Sequence, residues 1–185
     1  GHVRVFEYNQ NLKNWEQLGK DIDGFEAYAQ AGQSVFLSKN GDTLVIGSPG
    51  ETSKGRWTGA VSAYKLNEIT KEWDSIGKKI DGRRFATLFG ENVCLSDDGQ
   101  ILAASSPSAP SKDQNIALEG DQTGEVRLFK YSASANNWVQ IGNIIHGKNA
   151  YDHFGSALSL SSDGYTVAIG AEDNDKNGNR SGKVE

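Results

Sequence analysis

The stretch FGENVCLSDDG at residues 89–99 decides the fold, because the chain carries two further versions of it. FGSALSLSSDG follows at residues 154–164, and AGQSVFLSKNG precedes both at residues 31–41. Working outward from these stretches, units of 58, 65 and 58 residues begin at Gly1, Gly59, Gly124 and Gly182. One place in each unit holds Trp15, Trp73 and Trp138. Such self-similarity indicates a repeat architecture, in which each unit buries its apolar faces against its neighbours.

Four short runs of strand character fill each unit, and no run shows the helical period of about 3.6 residues. The third and fourth runs are joined by Asn40-Gly41, Asp98-Gly99 and Asp163-Gly164. These dipeptides predict tight hairpin turns of type I′. Four antiparallel strands in about 60 residues match one β-propeller blade, so the predicted fold class is all-β. The repeated Trp is predicted to fill the gap between neighbouring blades.

Composition argues against several classes of function. The net charge is −5 and the isoelectric point about 5.3, whereas a nucleic-acid binder needs a clustered basic face. No apolar run reaches the roughly 18 residues that a membrane span requires. The single cysteine, Cys94, rules out an intrachain disulfide and is predicted to be a buried, inert thiol. Because the chain lacks Met and starts and stops in the pattern of a repeat, we expect an internal piece of a longer protein.

Three short motifs recur in a fixed order along the whole chain. The first is Phe-Gly, at Phe89-Gly90 and Phe154-Gly155, from which Ala31-Gly32 departs. The second is Gly-Ala-Pro, and three stretches match it in part: Gly47-Ser48-Pro49, Ser105-Ser106-Pro107 and Gly170-Ala171-Glu172. The third is Gly-x-Val, at Gly59-Ala60-Val61, Gly124-Glu125-Val126 and Gly182-Lys183-Val184. This order resembles the FG-GAP repeat family, whose pattern is Phe-Gly, a hairpin, Gly-Ala-Pro and a Gly-x-Val strand, as in the seven-bladed heads of integrin α subunits.

The resemblance implies that the Phe-Gly strand is innermost in each blade and the Trp strand outermost. Residues 1–185 are then a partial β-propeller of about three repeats within a larger, seven-bladed ring. The predicted blades are residues 32–80 and 90–145, flanked by half blades at 1–22 and 155–185. Two complete blades cannot close a ring, so we expect their exposed edges to meet remaining blades of the same chain or other subunits.

One loop has the composition of a calcium site. Oxygen-bearing side chains alternate along it at Asp173, Asp175, Asn177, Asn179 and Ser181, with Gly178 at the sixth position. This spacing suits calcium, whose ligands are oxygen atoms. The twelfth position holds Val184 instead of the Glu of an EF-hand, and the other units do not keep the pattern. Calcium binding and a plain polar turn are therefore both open, and calcium is the one cofactor that the sequence suggests.

Two sets of loops are expected to share one rim of the propeller. The first set is 50–58, 108–123 and 172–181, and the second is 25–31, 83–89 and 148–154. Binding residues concentrate on such loops, where aromatic and cationic side chains favour tight contact. The candidate partner-binding residues are Phe25, Tyr28, Arg56, Trp57, Phe85 and Tyr151. Trp57 stands outside the repeated Trp set and could instead fold onto its own blade.

The sequence offers little support for catalysis. His2, His146 and His153 occupy different places in their units, and no spacing typical of a zinc site is present. The main prediction is therefore a non-catalytic binding or scaffold module that presents its rim to a protein or glycan partner. By family analogy, adhesion outside the cell or at its surface is the first expectation.

Two alternatives remain open. One is an enzyme, or an accessory domain of an enzyme, that acts on glycans or lipids. A cluster of acidic and histidine side chains at one end of the propeller axis would favour that reading. The other is a structural subunit of a larger complex.

Overall fold

The structure is a computed structural model that describes residues 1–110 and 122–185. Most of the predicted rim loop 108–123 lies outside these residues. Within them the secondary structure is strand and turn, and no helix is long and apolar enough to cross a membrane. The prediction of an all-β fold is confirmed.

The N-terminal strands form two small antiparallel sheets. Strand β1 (His2–Val3) pairs with β4 (Ile22–Asp23), and β2 (Phe6–Asn9) pairs with β3 (Asn14–Gln17). The next sheet has the order β5 (Ser34–Leu37), β6 (Thr43–Ser48), β7 (Ala60–Leu66) and β8 (Trp73–Ser75). A further short strand, β9 (Ile80–Asp81), also pairs with β7, so the outer edge of this sheet is broken in two.

The sheet that follows is a complete antiparallel sheet of four strands. Its order is β10 (Val93–Leu95), β11 (Ile101–Ser106), β12 (Glu125–Ser132) and β13 (Asn137–His146). The C-terminal sheet contains β14 (Phe154–Leu160), β15 (Val167–Ala171) and β16 (Lys183–Val184). The last two sheets are meanders of sequential neighbours, which is how a propeller blade is built.

The hydrophobic core lies between the sheets. One cluster joins the β5–β8 sheet to the β10–β13 sheet through Val45, Val61, Phe89, Leu102 and Phe129. Similar clusters lie on either side of it. Trp138 reaches back across the gap, where its indole Nε1 donates to the Ile76 carbonyl at 3.3 Å. Trp73 makes the same bond to Leu18 at 3.0 Å. Trp73 and Trp138 therefore tie their outer strands to the preceding blade, as predicted, whereas Trp15 is 63% exposed.

The hairpin turns differ from the predicted type I′. Positive φ is confined to the glycines, at 74°, 68° and 77° for Gly41, Gly99 and Gly164. In the first hairpin the hydroxyl of Ser38 accepts from Thr43 N at 3.0 Å and donates to Asn40 Oδ1 at 2.8 Å. This serine closes a four-residue loop and satisfies its polar groups, so the second left-handed residue of a type I′ turn is not needed.

Strand β5 has an uncovered apolar face. Val35 is 49% exposed, whereas Val93, which holds the same place in the next sheet, is 7% exposed. The neighbours Phe36 and Leu37 are also exposed, and their counterparts Cys94 and Leu95 are buried. The difference arises because β10 contacts inner strands of the sheets on both sides of it, including β5 and β14.

Candidate functional site

The rim of the propeller is built by hydrogen bonds between loops. Leu88 N donates to the Trp57 carbonyl at 3.1 Å, and Phe89 N donates to the Thr58 carbonyl at 3.1 Å. One repeat later, His153 N donates to the Gln122 carbonyl at 3.3 Å. Hydrogen bonds therefore hold the loop between the second and third strands of a sheet against the connector that leads to the next sheet.

Left-handed backbone recurs at equivalent places on this rim. Gln30, Leu88 and His153 share one place, with φ of 57°, 55° and 51°. Trp57, Gln122 and Arg180 share another, with φ of 56°, 42° and 51°. Since the backbone is the same while the side chains differ, the repeat sets these conformations and leaves the side chains free for function.

A cluster of charged and polar side chains surrounds His153. Its Nδ1 lies 2.9 Å from Asp173 Oδ2, and its Nε2 lies 2.6 Å from Gln122 Oε1. Arg180 donates from Nε and Nη2 to the two oxygens of Asp173, at 2.8 and 3.0 Å. The ligand-type atoms of His153, Glu172 and Asp173 all lie within 4.8 Å of one another. We call these residues, together with Glu91, the His153 cluster.

The surroundings of two carboxyl groups in this cluster shift their pKa values in opposite directions. Hydrogen bonds from Arg180 and His153 lower the pKa of Asp173 and favour its ionised form. Burial raises the pKa of Glu91, where the charge of Glu172 adds to the effect and that of His153 opposes it. Two carboxyl groups whose pKa values are pushed apart are the usual arrangement of an acid and a base in one site.

Sequence reasoning missed the His153 cluster. Gln122, His153 and Asp173 are far apart along the chain, and the rim geometry alone brings them together. One signal was present in the sequence. His153 stands where the other units have Gln30 and Leu88, so it departs from the repeat at a loop position.

A second feature of the rim is a cavity of about 700 Å³. We call it the rim cavity, and its lining includes Tyr28, Gln30, Thr52, Arg56, Trp57 and Leu88. Arg56 lies over the Trp57 ring, with 4.2 Å from the guanidinium carbon to the ring centroid. Three of the six predicted partner-binding residues, Tyr28, Arg56 and Trp57, therefore lie together.

The other three predicted partner-binding residues lie elsewhere. Phe25 lines a separate groove with Trp73, where Lys79 Nζ is 5.3 Å from the Phe25 ring centroid. Phe85 lies beside Gly55, since a Cβ at that glycine would be 3.7 Å from the ring. Tyr151 is exposed on the connector that leads to His153. All six residues stay predictions as partner contacts.

The predicted calcium loop is not arranged around one point. Asp173 points to His153 and Arg180, while Asp175 Oδ1 accepts from Arg180 N at 2.6 Å. Ser181 Oγ donates to the Asn174 carbonyl at 3.0 Å, and Asn177 and Asn179 are exposed. A guanidinium on both oxygens of Asp173 disfavours a cation there, so these residues fit calcium poorly. Calcium binding by this loop stays a prediction.

Comparison with known proteins supports the repeat and the fold. The FG-GAP repeat model matches residues 138–184. No curated protein sequence matches the chain. Among solved structures, the chain is similar to a "putative 6-phosphogluconolactonase" of Bacteroides uniformis, with a TM-score of 0.60 and 13% identity over 99% of this chain and 47% of that one.

Two further structures are similar. A protein of the same description from Bacteroides fragilis gives a TM-score of 0.52 and 15% identity, over 81% of this chain and 34% of that one. Hydrazine synthase of Kuenenia stuttgartiensis gives 0.50 and 12%, over 91% and 43%. The chain thus spans less than half the length of these structures, and at such identities they show the fold alone.

The prediction of a non-catalytic module is wrong by these comparisons. The similar folds include proteins named as lactonases, and the enzyme alternative fits that finding better than a binding or adhesion module. The structure also brings one histidine and two acidic side chains together, at His153, Glu172 and Asp173. The resemblance in sequence is confirmed at the same time. Residues 138–184 are an FG-GAP repeat, and the chain is a segment of a β-propeller.

Proposed function

We propose that this chain carries part of the active site of a propeller hydrolase that opens lactones, or related esters, of sugar acids. The observation that carries the proposal is the His153 cluster, in which a histidine is held by an ionised Asp173 and a half-buried Glu91 lies nearby. The names of the two Bacteroides propellers support lactones as the substrate class.

The cluster has the groups that lactone hydrolysis needs. A base must take a proton from water, and an acid must give one to the ring oxygen. Neutral His153 donates from Nδ1–H to Asp173 and keeps its lone pair at Nε2, so Gln122 has to turn away for Nε2 to take the proton from water, and Gln122 Oε1 can then accept from the new N–H. This pair of acceptors suits an imidazolium, in which both ring nitrogens are donors.

The remaining steps balance the reaction. The water oxygen bonds to the carbonyl carbon, the ester bond to the ring oxygen breaks, and Glu91 gives its proton to the departing alkoxide. The product is an open hydroxy acid, and proton transfer from His153 back to Glu91 restores the site. Burial keeps a proton on Glu91 to a higher pH than on an ordinary Glu, which suits the acid role.

The repeat itself supplies clean test variants. His153→Gln and His153→Leu copy Gln30 and Leu88, and Glu91→Gln copies Gln33, so each variant places a side chain that the fold already accepts. In the full-length natural protein, we expect His153→Gln and Glu91→Gln to lower kcat/KM for a δ-lactone of a sugar acid by about 100-fold or more. Release of acid followed in a pH-stat measures the rate.

Exposed residues away from the rim provide controls. Glu68→Gln lies on an outer loop beside Lys71, and we expect it to leave the rate unchanged. The proposal fails if the wild-type protein does not hydrolyse such lactones faster than buffer, or if His153→Gln is as active as the wild type.

We also propose that a further blade covers the apolar face of β5. The support is the contrast with β10, whose equivalent side chains are buried between neighbouring sheets. Replacement of Val35 by Asp would then unfold or weaken the full-length protein, whereas an exposed Val35 would tolerate Asp. Equal urea midpoints for the wild type and Val35→Asp would contradict this packing.

A further inference from the structure

We infer that the rim cavity binds the ring of a sugar that carries an anionic substituent. This inference rests on the proposed function and names the substrate class of the same rim. It makes the cavity the place where the body of the substrate is held, beside the cluster that performs the chemistry.

The aromatic side chains of the cavity are not needed by the fold. Tyr28 is 89% exposed, and its equivalents in the other units are Ala86 and Tyr151. Trp57 is exposed as well, and its equivalents are Gln122 and Arg180 with the same left-handed backbone. An exposed Tyr and Trp facing one concave space form a surface on which the apolar face of a sugar ring can stack.

The charge of the cavity points to an anionic ligand. Arg56 is the charged residue among its described lining side chains, and its guanidinium carbon lies 4.2 Å from the Trp57 ring centroid. A guanidinium on an aromatic ring can still bind a carboxylate or a phosphate through its fork of N–H groups, so Arg56 gives the cavity a group suited to an anion. The nearby Glu26 is held by the backbone and hydroxyl of Thr52, and these hydrogen bonds keep its pKa low.

The rim cavity adjoins the His153 cluster through one short segment. Leu88 lines the cavity, and its carbonyl accepts from Glu91 N at 3.1 Å. Burial raises the pKa of Glu91, and the nearby charges of His153 and Glu172 also act on it, in opposite directions. One turn of backbone therefore separates Leu88, which lines the cavity, from Glu91, the acid of the proposed reaction.

The test is a calorimetric titration of the full-length protein with three probes: glucuronate, glucose 6-phosphate and glucose. We expect both anions to bind at least about tenfold more tightly than glucose. Arg56→Asn, which copies Asn179, should remove that preference. Trp57→Gln, which copies Gln122, should weaken all three probes by about tenfold.

Matched controls separate the cavity from the rest of the rim. Tyr28→Ala should weaken binding, whereas Tyr151→Ala, at the equivalent place with φ of 61° against 65°, should not. A preference for only one of the two anions would identify carboxylate or phosphate as the substituent and would still support the inference. Equal binding by Trp57→Gln and the wild type, or glucose binding as tightly as both anions, would overturn it.

The same variants distinguish failure of this inference from failure of the proposed hydrolase. His153→Gln should bind the anionic sugars normally while losing hydrolysis. Hydrolysis with an unchanged KM in Trp57→Gln and Arg56→Asn would overturn the cavity assignment alone. Binding that depends on Trp57 without any lactone hydrolysis would overturn the proposed reaction alone.

Discussion

Phe89 is the side chain whose loss should damage the core most clearly. It is fully buried between the β5–β8 sheet and the β10–β13 sheet, and its ring centroid lies 6.3 Å from that of Phe129. The guanidinium carbon of the buried Arg127 lies 4.8 Å from the Phe89 ring centroid, and burial lowers the pKa of Arg127 to about 10. Phe89→Ala removes these contacts and leaves a cavity beside a buried charge. We expect a cost of about 4 kcal/mol, within the usual range for a buried Phe.

Urea unfolding of the full-length protein measures this cost. With a slope of about 2 kcal/mol per molar urea, the midpoint should fall by about 2 M without a change in slope. The backbone accepts alanine at this place, because Ala31 holds it in the first unit. Phe85→Ala is the control, since Phe85 is 41% exposed, and it should shift the midpoint by less than about 0.5 M. An equal shift for the two variants would refute the assignment of Phe89 to the core.

Three further predictions follow from the described residues. Burial raises the pKa of Cys94 from 9.0 to about 11, so a thiol reagent at pH 8 should label this thiol only after unfolding. For the same reason, the free energy of unfolding should fall as the pH rises from about 9 towards 11. Gly59→Ala should destabilise by several kcal/mol, because its Cβ would lie 2.2 Å from the Phe89 carbonyl oxygen, whereas Gly41→Ala, with a similar φ and open space, should cost about 1 kcal/mol. A calcium chelator should leave the melting temperature unchanged, and a clear drop would restore loop 173–181 as a metal site.

The fold was predictable because the same Trp positions and hairpin signals recur in successive units. Trp73 and Trp138 could be assigned to the gaps between blades, since a large apolar residue at a fixed place in each unit must meet the same neighbour. The hairpins were placed correctly and typed wrongly. Their sequence signal is the Asx-Gly pair, while the serine hydroxyl of Ser38 that closes the loop precedes that pair.

The candidate site was not predictable by the same logic. A repeat pattern reveals what the units share, whereas the His153 cluster depends on how they differ. His153, Gln122 and Asp173 meet because two left-handed backbone places face each other across the rim. Sequence patterns of the kind used for strands carry no signal for that meeting. The acidic loop at Asp173 suggested calcium because its spacing was visible, while Arg180, which occupies its oxygens, belonged to the same loop and was passed over.

One comparison tests the proposed enzyme site at His153. The most direct test is the ratio of kcat/KM for δ-lactone hydrolysis between the full-length wild type and His153→Gln, with both melting temperatures measured alongside. We expect a ratio of about 100 or more at equal melting temperatures, because glutamine already occupies the equivalent place in the first unit. A ratio near one, with a wild type that hydrolyses the lactone, would contradict it.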